Sequence, residues 1–211
     1  MLLVDGTVRD YALKLASGEP TPGGGSAAAL AGVIGAALTN MVGALTEGRA
    51  KYAEYTEFNA GLLEQASRMR DDLLGLVDED TAVFNVMSVA YNMPKTTAAE
   101  KSARSEAIQS ALKVCALTPY KVMEICAQAL ELTAEAMGKT NTNVVSDLGV
   151  AALCLKAAIQ SAWLNIFINL NSLKDAGFVA EYNEKAEALL KRALPMADSI
   201  YEATIKACSK G

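Results

Sequence analysis

The chain has 211 residues and a mass of 22.2 kDa, enough for one domain with a sizeable core. It has no histidine, which excludes a Ser-His-Asp triad, a Cys-His pair, His-ligated zinc and imidazole acid–base chemistry. The net charge of −5 argues against a nucleic-acid partner, which calls for a basic face.

Hydrophobic residues make up 52% and aromatics only 6%, so the apolar content is mostly Ala, Leu, Val and Met. These are helix formers. We expect an all-α, multi-helical bundle with long helices, forming one domain over 1–211. In chain order, a first helix covers about Thr7 to Ser17 and stops at Gly18 and Pro20. The turn Glu19-Pro-Thr-Pro-Gly-Gly-Gly follows, with Ser26 as the N-cap of a second helix. No charged residue occurs from Pro20 to Thr46, long enough to raise the question of a membrane span. The segment is Ala/Gly-rich, carries Thr39 and Asn40, and lacks a basic cluster on one flank. It reads as a central helix buried on all sides, with no membrane partner.

From Tyr52 to Tyr91 no proline interrupts the chain. Leu62, Ala66, Met69, Leu73, Val77, Asp80, Phe84, Met87 and Tyr91 fall at steps of three and four, one face of a helix. Unbroken, that helix is about 60 Å long, whereas a globule of this size is roughly 45 Å across. Either it breaks near Gly61 or Gly75, or it packs against a second copy; we expect a homodimer. Pro94 ends it, and Thr97 with Glu100 forms a capping box for the next helix. Pro119 marks a fresh start or a kink, and Gly138 closes the pattern. After a polar loop, Ser146 caps a very apolar helix to about Leu173. A last amphipathic helix runs from about Phe178 to Ser209, with Pro195 a kink. Cys115, Cys126, Cys154 and Cys208 show no metal spacing and read as buried, reduced thiols of a cytoplasmic protein. The N-terminus reaches charge too early for a signal peptide.

Three places could carry chemistry. Asp80 stands in the apolar stripe where a leucine is expected. It is either a desolvated acid/base or half of an interhelical ion pair; Asp78 and Glu79 lie on other faces and read as solvated. The turn Gly23, Gly24, Gly25, Ser26 is either an anion cradle at a helix N-terminus or a plain turn with a Ser cap. Asn141, Asn143, Ser146 and Asp147 stand at the mouth of the apolar helix. Asn165 and Asn169 share a face further along it, as binding groups or as a buried polar pair. Asp147 and Asn165 are about 27 Å apart on one straight helix. Arg49, Lys95 and Lys101 are the nearby cations.

These residues resemble a known family. The run 20–26 before an Ala/Gly-rich helix, Gly48-Arg49, Asp80 with Ala82 and Phe84, and Met93-Pro94-Lys95 occur in order. Asn143 with Ser146-Asp147-Leu148, and Asn165 with Ile168-Asn169-Leu170, follow them. Together they look like the cyclodeaminase domain of formiminotransferase-cyclodeaminase and the related stand-alone methenyltetrahydrofolate cyclohydrolases. The resemblance covers nearly the whole chain and lacks the transferase domain. It implies an all-helical dimer acting on a tetrahydrofolate derivative, with no metal or other cofactor. Cyclodeamination of 5-formiminotetrahydrofolate is the first expectation and hydrolysis of 5,10-methenyltetrahydrofolate the second. In either case a formiminotransferase could sit on a separate chain. It also implies that Asp80 and Asp147 handle protons or bind the pterin, with their roles open between them. Gly23–Ser26, Arg49 and Lys95 then hold the glutamate tail or shape the pocket, and Asn143, Ser146, Asn165 and Asn169 contact substrate. A non-catalytic helical assembly protein is the competing class.

Overall fold

A computed structural model describes residues 2–209, which fold into six α-helices. They are α1 (Val8–Leu15), α2 (Gly24–Ala44), α3 (Thr56–Tyr91), α4 (Ala98–Ala136), α5 (Val145–Leu170) and α6 (Ala176–Cys208). Short 3-10 turns precede α1, α3 and α5.

Several expectations about helix ends are corrected. Thr7 and Asp10 form a capping box at the start of α1, each answering the other's backbone N–H. Gly23, not Ser26, is the N-cap of α2, and Ser26 lies inside the first turn and is buried. Val144 precedes α5, so Ser146 is its second residue and no cap. The predicted capping box of Thr97 and Glu100 is present at α4. Neither Gly61 nor Gly75 breaks α3, which runs for 36 residues, about 54 Å. Pro119 and Pro195 lie inside α4 and α6, which continue through them.

α5 is the central strut. It packs on α2, α4 and α6, while α2 also packs on α3 and α4. α2 and α5 run antiparallel: Gly24 at the start of α2 meets Asn165 late in α5, and Gly35 meets Leu155 and Ala151. Close approach requires the glycines. A Cβ at Gly35 would lie 2.5 Å from Leu155 Cγ and 3.1 Å from the Ala151 carbonyl oxygen. Leu155 is fully buried and Ala151 offers backbone, so neither can yield cheaply. Gly35→Ala should therefore destabilise the fold by about 1–2 kcal/mol despite the better helix propensity of alanine. Thermal melts should show this as a fall in Tm of roughly 2–8 °C; an unchanged Tm would mean that α2 and α5 can separate freely.

The α3 stripe is buried where it faces the bundle: Leu62, Ala66, Leu73 and Val77 are at most 1% exposed. Beyond Asp80 the burial is uneven: Met87 stays 6% exposed in a cluster with Leu112, while Phe84 and Tyr91 reach 39% and 50%. The stripe thus turns from core into the wall of a cavity.

α2 and α5 are each long and apolar enough to cross a membrane. Here both are inner helices of the bundle, but neither is buried on all sides. On α2, Ile34 and Met41 stay exposed, as does Leu45 just past its end; on α5, Val150, Leu153, Leu164, Phe167 and Ile168 do. The outer face of this antiparallel pair is an apolar, charge-free stripe. The cysteines are all free, but only Cys126 is buried, and Cys208 is exposed.

Candidate active site

Asp80 faces a cavity of about 380 Å³ where the start of α2, the later part of α3, the middle of α4 and the end of α5 converge. Gly23, Gly24 and Gly25 form one wall, and Asn165 and Asn169 another. Val83, Phe84, Met87, Tyr91 and Leu112 supply an apolar side, with Cys115 beside Asp80.

The carboxylate is seated by backbone. Ser26 N–H donates to Asp80 Oδ2 at 2.9 Å, so one N–H of the turn that reads as an anion cradle already serves an anion of the protein itself. The seat exists only because residue 25 is glycine: a Cβ there would lie 2.0 Å from Asp80 Oδ1. The Ser26 hydroxyl lies 3.1 Å from the Tyr11 hydroxyl, which ties α1 to the same point. No cation pairs with Asp80 among the described residues, so the ion-pair alternative does not form. Burial pushes the Asp80 carboxyl above the ordinary carboxylate range, and the Ser26 N–H offsets only part of that effect. Burial, with the Asp80 charge adding to it, pushes the neighbouring Cys115 thiol up to about 11, so it stays neutral at pH 7.

Asp78 and Glu79 are not merely solvated. Asp78 accepts the backbone N–H groups of Leu3 and Val4, and Glu79 pairs with Lys121 at 2.9 Å. Among the described residues, no group of three or more side chains suited to a metal ion forms.

The other sequence-chosen residues lie elsewhere within one chain. Lys95 is exposed and does not line the cavity. Arg49 follows the far end of α2, about 30 Å from Gly24 along the helix. There it lines a second hollow with Lys51, Tyr52, Asn141 and Asn143. Ser146 and Asp147 stand in the first turn of α5, at that same far end. Lys95 apart, the candidate residues therefore form two groups at opposite ends of the α2–α5 pair. Sequence reading missed Leu112 and the role of Cys115 as wall; both come from α4, and no spacing rule links α4 to Asp80.

The sequence pattern of one family, described as Formiminotransferase-cyclodeaminase, matches residues 7–188. The chain belongs to this family. A methenyltetrahydrofolate cyclohydrolase of Methylorubrum extorquens is 40% identical over 200 residues, which cover 95% of this chain and 96% of that one. A formimidoyltransferase-cyclodeaminase of Mus musculus is 31% identical over 191 residues, 90% of this chain but 35% of that protein. The chain thus spans about a third of this formiminotransferase-cyclodeaminase relative. The crystal structure of formiminotetrahydrofolate cyclodeaminase from Thermotoga maritima superposes with a TM-score of 0.80 over 99% of this chain and 98% of that one. At 22% identity this likeness shows a shared helical fold.

Proposed function

We propose that this protein is a folate one-carbon enzyme that hydrolyses 5,10-methenyltetrahydrofolate to 10-formyltetrahydrofolate, with Asp80 as its acid/base. The reading is carried by the desolvated, cation-free Asp80 carboxylate in a cavity of about 380 Å³. The end-to-end match with a named cyclohydrolase favours hydrolysis over deamination. Ionised Asp80 takes a proton from the water that attacks the bridging carbon. The resulting neutral tetrahedral carbon carries a hydroxyl between N5 and N10. As the hydroxyl becomes a carbonyl, the bond to N5 breaks and a proton passes to N5. The net release is one proton. A carboxyl held above its usual range can hold and return a proton nearer neutral pH than a solvated aspartate.

The bifunctional relatives and the Thermotoga protein favour a second reading, cyclodeamination of 5-formiminotetrahydrofolate. There N10 attacks the carbon of the protonated formimino group, and ionised Asp80 relays the N10 proton to the former imino nitrogen, which departs as ammonia while the methenyl cation forms. The formimino group would come from a formiminotransferase on another chain. The two readings separate in one assay. A cyclohydrolase accelerates loss of methenyl absorbance when given 5,10-methenyltetrahydrofolate. A cyclodeaminase produces that absorbance from 5-formiminotetrahydrofolate. Neither change would overturn both.

The two groups of candidate residues are joined by pairing two copies. Ile34 lies midway along α2, between Gly24 and Ala44, on the exposed apolar stripe. A two-fold axis at that level sets the stripe of one copy antiparallel on the other, since such an interface uses the same patch twice. It carries the Arg49, Asn143, Ser146 and Asp147 end of one copy to the Asp80 cavity of its partner. The cavity then gains the cation that a substrate glutamate needs. Mixing Asp80→Asn and Asp147→Asn proteins, each inactive alone, should restore up to about a quarter of native activity, because half of the random dimers are mixed and each has one intact site. Full activity of Asp147→Asn alone, or no recovery on mixing, would rule out a shared site.

A further inference from the structure

The Asp80 cavity carries one carboxylate and two carboxamides, besides the hydroxyls of Thr21 and Ser172 and the thiol of Cys115. Asn169 donates from its amide nitrogen to the Asn165 carbonyl at 2.7 Å and to the Cys115 carbonyl at 3.2 Å. Asn165 donates from its amide nitrogen to the Ser161 carbonyl at 2.8 Å. Turning either amide over would set its oxygen against a carbonyl oxygen, so the backbone of α4 and α5 fixes both orientations. The two carboxamide oxygens then remain as acceptors, and among the described residues no donor reaches them. Asp80 Oδ2 takes the Ser26 N–H, while Oδ1 has no donor. No lysine or arginine of the same chain lines the cavity.

We infer that this cavity selects a planar amidinium cation, with the Asp80 charge and the fixed oxygens of Asn165 and Asn169 facing it. An anion would be repelled by the Asp80 charge, and a neutral amide would forgo the charge-assisted contact with it. The inference rests on the folate reading for its biological ligand. The one-carbon unit of 5,10-methenyltetrahydrofolate is such a cation, as is a protonated formimino group. Hydrolysis turns that cation into a neutral formyl amide, so the grip loosens at the product.

Three isosteric probes test it without folate: acetamidinium, acetamide and acetate, titrated against the whole protein. The side-chain amide signals of Asn165 and Asn169 are followed by NMR. Acetamidinium should shift those signals and bind at least about tenfold more tightly than acetamide, with no shift from acetate. In Asp80→Asn that preference should fall to within about threefold. Equal binding of acetamide or acetate, or no response at Asn165 and Asn169, overturns the inference. If Asp80→Asn does not fold, the wild-type series decides alone. Preference for acetamidinium without turnover of either folate would sink the folate reading and leave this one standing. Turnover with no preference would do the reverse.

Discussion

Asp80→Asn should lower kcat/KM by about 10²–10⁴-fold, the usual cost of losing one acid/base, while the protein stays folded. Asparagine keeps a carbonyl oxygen for the Ser26 N–H, so the seat at the start of α2 survives. The pH dependence of stability gives a second signature. The folded carboxyl is held above its ordinary value of 3.8, so between that value and the raised one the native state binds more protons than the unfolded chain. Native stability from this group therefore falls as pH rises through that window and stays lower above it. Asp80→Asn removes the penalty. Its melting temperature should equal or exceed that of the wild type at neutral pH, and the difference should shrink towards pH 3. A variant that melts earlier at neutral pH would mean that Asp80 holds the fold together instead of being strained within it.

The second large effect belongs to a residue with no side chain. Gly25→Ala places a Cβ 2.0 Å from Asp80 Oδ1 and 2.6 Å from Asp80 Cγ. These atoms form the free end of a side chain at the cavity edge, so the clash is relieved by swinging Asp80 away. Activity should fall at least about 10²-fold while stability changes by less than about 1 kcal/mol. Gly35→Ala has the opposite outcome. There the clash is with a packed leucine and backbone, and stability takes the loss. In an Asp80→Asn background, Gly25→Ala should cost little further activity, because both changes remove the same placed carboxylate. Additive losses in the double variant would separate the two residues.

The helices were legible because their determinants are local. The capping box of Thr97 and Glu100 and the stripe from Leu62 to Val77 each lie within one stretch of chain, and both appear as expected. Helix ends were less legible. Ser26 looks like a cap because serine usually is one, yet its N–H is spent on a residue 54 positions away. Pro119 reads as a fresh start or a kink and Pro195 as a kink, yet neither ends its helix. Each removes one backbone donor from a helix that tertiary packing holds continuous on both sides.

Asp80 could be singled out from sequence by its place in an apolar stripe, but not its state. An ion pair and a desolvated acid have the same spacing; only the packing of α2 against α3 shows a backbone N–H and no cation at the carboxylate. The family likewise followed from the order of its short motifs, but the order along the chain concealed their distribution in space. Helix length converts residue number into distance, so Gly24 and Arg49 necessarily lie at opposite ends of α2. By itself, then, the sequence determined an all-helical chain, its family and one carboxylate out of place. The tertiary structure decided that this carboxylate sits over Gly25, that Asn169 is tied to the Cys115 carbonyl of α4, and that Arg49, Asn143, Ser146 and Asp147 lie a helix length away. Those outcomes depend on contacts between helices distant in sequence, which no local pattern encodes.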